Sequence, residues 1–461
     1  MTPITRRSAL QRFGFGLGRM AFASLAAQGG TSKTHHAAKA KRVVHIFPQG
    51  GPSQMDTFDP KPGMKKYDGK PMPGREPKPG SSVGAVWHSP YTFAKHGKSG
   101  LEISDLFPEL AKHADDLSVI RSMHTENTDH QTMAQFLCCG DARQPRPAVG
   151  AWVQYGLGTM NANLPAYVVL NSAGKPLGGA ALWQSAFLPS QFQGSYVDTS
   201  GSARRADELI RHVRSSHAHR DNQRRALDVL KAMNADHAAA RDHDPLMDAR
   251  LDSFELAYRM QIEATDAFDL HREPRSVIES YGPTPMGRQL LLARRLLERG
   301  VRYVQMFDGD IAPWDDHGTL YKHHRELAQA SDKPTAAFLA DLKRLGLFDD
   351  TLVVWVSEFG RTATAEHDPQ KGPDMNTAGR DHNHEAFVAW MAGGGVKGGT
   401  AYGETDEWGM KGVKDRVHVH DLHATILHLL GFDHEKLTYR YAGRDFRLTD
   451  VHGAVVKGVL A

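Results

Sequence analysis

The chain has 461 residues, 40% of them apolar and 24% charged, with a net charge of +3. That length suits one large α/β domain, the near-neutral charge argues against nucleic acid as a partner, and no apolar run reaches the roughly 18 residues of a membrane span. The two cysteines, Cys138 and Cys139, are adjacent, a spacing that disfavours a disulfide or a cysteine zinc site, whereas 26 histidines raise the expectation of a metal or acid–base site.

The first 30 residues place Arg6 and Arg7 ahead of a weakly apolar, small-residue stretch. This is the pattern of a twin-arginine export signal, interrupted by Arg12 and Arg19. Residues 31–41 read as a linker, residues 42–461 as the folded domain, and the expected location is the periplasm or cell surface. The first strand is "RVVHIF", broken by the Gly/Pro-rich "PQGGPSQMDTFDPKP". Gly63 to Gly100 form an irregular excursion. "LFPELAKHADDL" has helical spacing and leads into the strand "LSVIRSM". "MAQFLCCG" and "GAWVQYGLG" are short helices that stop at glycine, and "AYVVLN" is a strand. Residues 203–270 read as an insertion of two or three amphipathic helices. "GRQLLLARRLLERG" is a helix feeding the strand "VRYVQMF". A helix over Gly318 to Leu345 precedes the strand "TLVVWVSEFG". "AFVAWMAGGG" is a further strand and "HDLHATILHLLG" a helix closed by Gly431. Helices alternating with continuously apolar strands predict an α/β three-layer sandwich with a mostly parallel central sheet.

In such sheets ligands bind beyond the carboxyl ends of the strands. Five segments deliver polar side chains there. They supply Ser53 and Asp56; Asp129 and His130; Asp308, Asp310, Asp315, Asp316 and His317; Glu358 and Arg361; and Arg380, Asp381, His382 and His384. Each has an ordinary reading alone: Asp315 and Asp316 as helix caps, Glu358 and Arg361 as a salt bridge, His382 and His384 as solvated. Together they point to a divalent metal site with Asp56, Asp315, His317, Glu358, Asp381, His382 and His384 as candidate ligands. Mixed imidazole and carboxylate donors suit zinc, manganese or iron, with calcium or magnesium favoured where carboxylates dominate. Two such ions roughly 4 Å apart clamp a phosphate or sulfate ester. In that reading Arg361 and Arg380 hold the substrate anion, His130 is nucleophile or general base, and Ser53 and Asp129 contact substrate.

The motifs "GGPSQMDTFDPKP", "WVQYGLG", "FLPSQFQG", "WDDH", "SEFGRT", "GRDHNHEAFVAWMAGGGVKGG" and "YGETDEWG", in this order, resemble the exported bacterial family called domain of unknown function 1501, placed in the alkaline phosphatase and sulfatase superfamily. The resemblance covers the chain from Arg42 onward. It implies an alkaline phosphatase-like fold and a metal-dependent hydrolase of anionic esters, with a polysaccharide as one substrate class. His382 matches the late histidine of the superfamily pattern, and Asp315 with His317 resembles its central Asp/His pair. Two departures stand out. Glu358, Phe359 and Gly360 stand where the superfamily has Asp-His-Gly, and a phenyl ring cannot ligate. His130 occupies the nucleophile slot, with Thr128 and Thr132 nearby, so a phosphohistidine remains open. The alternative is a non-catalytic member of the fold that binds a glycan or a partner protein.

Overall fold

The computed structural model describes residues 34–74, 83–172, 174, 176–200, 209, 220–239, 255, 258–259, 266–308, 312–367 and 377–461. The expected export signal, Asp310 and most of the expected helical insertion lie outside them; within the insertion one helix, Arg220–Ala239, is described.

The strands that matter for the site are β1 (Arg42–Phe47), β2 (Val83–Val86), β3 (Leu117–His124), β4 (Tyr167–Asn171), β5 (Ser195–Asp198), β6 (Tyr303–Phe307), β7 (Thr351–Val356), β8 (Gly360–His367), β9 (Ala378–Asn383), β10 (Phe387–Ala392), β11 (Thr400–Tyr402) and β12 (Val417–His418). The helices are α1 (His130–Cys139), α2 (Val149–Leu157), α3 (Pro285–Glu298), α4 (Leu320–Arg344) and α5 (Val419–Leu429). A nine-stranded sheet runs β11–β3–β10–β7–β1–β6–β4–β5, with β12 also pairing β3. All its pairings are parallel except those of β10, which is antiparallel to both β3 and β7. The expected mostly parallel sheet is thus present, in the α/β class read from the sequence.

Alternation along the strands fills two cores. Val44, Ile46, Val353 and Trp355 face α3 and α4, meeting Leu290, Leu297 and Leu339. Val43, Phe47, Leu352 and Val354 face α1, α2 and α5, meeting Leu137, Trp152 and Leu427. These side chains are at most 5% exposed, and burying each is worth roughly 1.5–3 kcal/mol. Strands buried on both faces have no polar alternation, which is why they read as continuous apolar runs.

Two local expectations differ. "LFPELAKHADDL" forms a 3-10 helix over Leu110–Asp116, with His113 at φ −102° and ψ 15° breaking the helical run. Seven residues are too few to nucleate a stable α-helix alone. The Asp332 carboxylate accepts from Glu109 N and Leu110 N at 2.8 and 2.7 Å and fixes its start. The second difference is larger. After β7 the chain turns at Ser357–Phe359 into an antiparallel hairpin, β8–β9, which pairs with β2 in a separate three-stranded sheet. The hairpin stands on the edge where the parallel strands end. The chain therefore re-enters the main sheet from that edge, and β10 must run antiparallel.

Candidate metal centre

Four segments converge at this edge. Helix α1 begins at His130 because Asp129 caps it: the Asp129 carboxylate accepts from Thr132 N at 2.8 Å. The loop after β6 presents Asp315 and His317. It is gripped between two glycines. A Cβ on Gly50, at φ +110°, would lie 2.3 Å from Asp315 N, and one on Gly379 would lie 2.2 Å from the His317 carbonyl carbon. No larger residue fits either place. The β7 end supplies Glu358, and β9 supplies His382, paired in register with Arg361 beside an irregularity between Arg361 and Ala365. Such bulges re-aim side chains.

The three histidines share one arrangement. Each Nδ1 meets an acceptor: Glu358 Oε1 at 2.6 Å for His130, Glu366 Oε2 at 2.5 Å for His317, and the Thr128 carbonyl at 2.9 Å for His382. A carbonyl only accepts, so His382 Nδ1 carries the hydrogen, and the carboxylates fix the same tautomer in the other two. All three Nε2 atoms thereby face Asp315, and that of His382 also faces the other two. His382 Nε2 lies 3.1 Å from His130 Nε2 and 3.0 Å from His317 Nε2. Asp315 Oδ1 is 2.9 Å from His317 Nε2 and 3.1 Å from His382 Nε2, and Oδ2 is 3.1 Å from His130 Nε2. Donors bound at about 2.0–2.1 Å in a tetrahedron stand about 3.3 Å apart. The residues therefore fit a metal ion: the donors of His130, Asp315 and His382 lie close enough together to hold one, His317 Nε2 stands beside Asp315 and His382, and each imidazole is braced from behind. Carboxylate- or carbonyl-braced histidines are the usual outer arrangement of metal sites.

Electrostatics agree. Burial opposes protonating His130, but its hydrogen bonds to Asp315 and Glu358 prevail and raise it to about 9. His317 is also raised to about 9, by its bonds to Asp315 and Glu366. Burial would raise Asp315, yet the three histidines and Arg361 hold its carboxyl well below the usual range. With no cation present, protons compensate the clustered lone pairs and carboxylates. A dication would replace them.

His130, Asp315 and His382 form one group able to hold a metal, and His317, Glu366 and Asp381 another. Asp381 also accepts from His382 N at 2.7 Å. Glu366 is absent from the sequence reading; its signal is the alternation in "GRTATAEH", hidden by following directly on β7. Phe359 is fully buried with its ring 4.6 Å from that of His130 and 4.7 Å from that of His382. It forms an apolar wall against both imidazoles.

Other expected site residues stand elsewhere. Glu358 is 1% exposed and braces His130, with both oxygens taken: Oε1 also accepts from Gly50 N at 2.8 Å, and Oε2 from Ser357 Oγ at 2.6 Å. These bonds make it the brace of the His130 ring. His130 has both nitrogens engaged, Nδ1 on Glu358 and Nε2 beside His382 and Asp315. Asp56 is fully buried and pairs with Arg380 Nε at 2.8 Å and Ser53 Oγ at 2.5 Å, away from the cluster. Arg361 and Arg380 are both fully buried and bond carbonyls and carboxylates of the protein, so neither is open to a substrate anion. Ser53 is sealed in with Asp56, and Asp129 is spent on its cap. The His384 ring faces Glu385 at 3.6 Å instead of the cluster. Neither Asp315 nor Asp316 caps the helix that follows, whose N-cap Thr319 carries no side-chain cap; Asp316 accepts from Gly318 N and Thr319 N in the turn before it.

A family model described as "Protein of unknown function (DUF1501)" matches residues 40–460. The chain belongs to this family. No curated protein matches it. Similar solved structures include the lipoteichoic acid synthase LtaP from Listeria monocytogenes, 9% identical, covering 96% of this chain and 80% of that one at a TM-score of 0.35. The C-terminal periplasmic domain of EptC from Escherichia coli, in complex with zinc, is 10% identical, with 87% and 84% covered and a TM-score of 0.36. The alkaline phosphatase of the Antarctic bacterium TAB5 is 10% identical, with 77% and 92% covered and a TM-score of 0.26. The residue roles rest on this chain's own geometry. Among the described residues no helix is long and apolar enough to cross a membrane.

Proposed function

We propose that the chain is an exported, divalent-metal-dependent hydrolase of sulfate or phosphate esters, with an anionic polysaccharide as one substrate class. The observation that carries this is the tautomeric lock: three histidines whose Nδ1 atoms are all occupied, leaving three Nε2 lone pairs aimed at the Asp315 carboxylate. Only a cation or extra protons relieve that arrangement. A nitrogen-rich set favours zinc, iron or manganese over calcium. His130, Asp315 and His382 would hold the ion, with His317 completing the set, and the ion would supply Lewis acidity toward an ester oxygen. Glu358 holds the His130 ring in orientation, and Phe359 keeps water from the inner side of the cluster. The export proposal rests on the Arg6–Arg7 signal pattern.

The test is hydrolysis of an aryl sulfate and an aryl phosphate by the metal-loaded protein. Turnover of either, lowered at least about 100-fold by His382→Ala, is expected from the 10- to 100-fold cost typical even of outer-shell losses. No turnover of either ester by a protein that does hold metal sinks the hydrolase reading.

One observation favours a second reading, a non-catalytic binder of a glycan or partner protein. The hydroxyls of Ser53 and Ser357 are bonded to Asp56 and Glu358, and burial drives both cysteine thiols up. Saturable binding of a sulfated oligosaccharide without turnover supports it.

A further inference from the structure

The chain between β1 and β2 carries a basic strip that the metal centre does not use. Pro62–Tyr67 is a 3-10 helix with Lys65 and Lys66 in its last turn. The residues after it lie along β2: Gly69 N donates to the Val86 carbonyl at 2.9 Å, and Val86 N to the Lys70 carbonyl at 2.8 Å. Lys65, Lys66 and Lys70 are exposed. Of the lysines in this segment only Lys61 has a carboxylate partner among the described residues, Asp59 at 3.0 Å. Two neighbouring carboxylates are spent on backbone amides. Asp68 accepts from His88 N at 2.8 Å, and Asp406 from Trp408 N and Met410 N at 3.1 and 2.7 Å, which leaves the exposed Glu407. Two rings stand beside the lysines. Tyr67 and Trp408 are half-buried, with ring centres 5.1 Å apart and planes inclined at 55°, and both pack against the cluster of Met55, Met64 and Met72. Lys66 Nζ is 4.8 Å from the Tyr67 ring centre.

The three-stranded sheet ties this strip to the metal centre. β9, with Asp381 and His382, pairs with β8, which carries Glu366; β8 pairs with β2; and residues 69–70 bond the free side of β2. Neighbouring strands stand roughly 4.8 Å apart, so the Lys70 backbone lies on the order of 10 Å from β8 in the plane of the sheet. We propose that Lys65, Lys66, Lys70, Tyr67 and Trp408 form a docking strip for an anionic polysaccharide, which holds the chain while one of its ester groups lies at the metal centre. The inference rests on the ester-hydrolase reading and deepens it by giving the polymer a binding site of its own. Ammonium groups without carboxylate partners attract sulfate or carboxylate groups, and the two rings offer flat apolar faces to the C–H faces of sugars. Nucleic acid fits less well, because the strip is short and the whole chain carries a net charge of only +3. A small ester bound at the metal centre does not reach the strip, whereas a chain of a few sugar units does.

The probes are dextran sulfate, uncharged dextran and single-stranded DNA, each titrated by calorimetry into the zinc-loaded full chain. Hydrolysis of an aryl sulfate and an aryl phosphate is followed beside it, and thermal melting shows which variants are folded. The expected result is saturable binding of dextran sulfate, tighter than that of dextran or DNA. The triple variant Lys65→Gln, Lys66→Gln, Lys70→Gln and the single variant Trp408→Ala each weaken it at least about tenfold, and both leave aryl-ester turnover within about twofold of wild type. A folded triple variant that binds dextran sulfate as tightly as wild type overturns the strip, while aryl-ester turnover still reports on the hydrolase reading. DNA bound as tightly as dextran sulfate, with Trp408→Ala weakening neither, overturns the sugar assignment. Lysine-dependent binding of dextran sulfate without turnover of either ester supports the strip and sinks the hydrolase reading instead. Should Trp408→Ala fail to fold, the triple variant, altered only at exposed positions, decides the matter.

Discussion

Two histidine clusters among the described residues behave oppositely. In the first, His130, His317 and His382 have every Nδ1 braced by an acceptor and every Nε2 aimed at Asp315. Two of these rings are raised to about 9. In the second, at α5 and its neighbours, burial lowers His420 to about 2, His45 to about 3, and His423 and His124 to about 4. His45 Nε2, His420 Nδ1 and His423 Nδ1 have no hydrogen-bond partner. The nearest carboxylates of this second cluster sit at its rim, Glu126 on His418 Nε2 and Asp421 capping α5. It also forms no group of three ligands at metal spacing among the described residues. The number of histidines is therefore not the signal of a metal site. The signal is a carboxylate in the middle and an acceptor behind each ring.

That contrast can be broken most sharply by removing one ring from each cluster. His382→Ala is expected to weaken zinc binding by at least about 100-fold, whereas His420→Phe, at the wall of Phe136, should leave it within about twofold. Competition with a chromophoric chelator reads both. If His420→Phe loses as much affinity as His382→Ala, the two clusters are not distinct.

Next in size is the brace itself. Glu358→Gln keeps the shape but turns a charged acceptor into a neutral amide, and a 10- to 100-fold rise in the zinc dissociation constant is expected. An unchanged constant would mean that His130 needs no carboxylate behind it.

The third test concerns protons. In the metal-free protein His130 and His317, raised to about 9, hold protons at neutral pH. Zinc must expel them, roughly one from each ring, so affinity rises with pH. Calorimetry in buffers of different ionisation enthalpy counts these protons; zinc uptake without release contradicts the tautomeric argument.

The second cluster gives the smallest effect, with the opposite sign. His45 and His423 are neutral when folded, with values of about 3 and 4, but titrate near 6.5 when unfolded. Below pH 6.5 the unfolded chain takes up protons that the folded one refuses. Their stability contribution is present above about 6.5 and lost as pH falls toward 4. At pH 5 each costs about 2 kcal/mol. His45→Leu should move the acid-unfolding midpoint, followed by urea titration at stepped pH, to lower values; an unmoved midpoint would count against this assignment.

The sequence made the strands legible because each is an apolar run buried on both faces: Arg42–Phe47 was readable at both ends, and Thr351–Val356 at its start, with the reading running four residues past its end. It also brought Asp315, His317, Asp381 and His382 to one sheet edge. What stayed hidden was orientation. The β8–β9 hairpin looks like loop, because Arg361, Arg380 and Asp381 break any apolar run there while their partners lie far away in the chain. Arg361 meets Gly50 and Asp315, and Arg380 meets Asp56. Burial of charge by long-range pairing has no local signature, and so Asp56 and Arg380 read as site residues and Glu366 did not.

The most direct measurement is the metal content of the untagged protein, by mass spectrometry after dialysis without chelator, beside an Asp315→Asn variant. About one equivalent of zinc, iron or manganese in wild type, largely lost in the variant, is the predicted result for a three-histidine, one-carboxylate centre. Wild type without metal, showing no thermal shift when zinc, iron or manganese is added, would contradict the account. It would leave the cluster as a set of proton-sharing histidines.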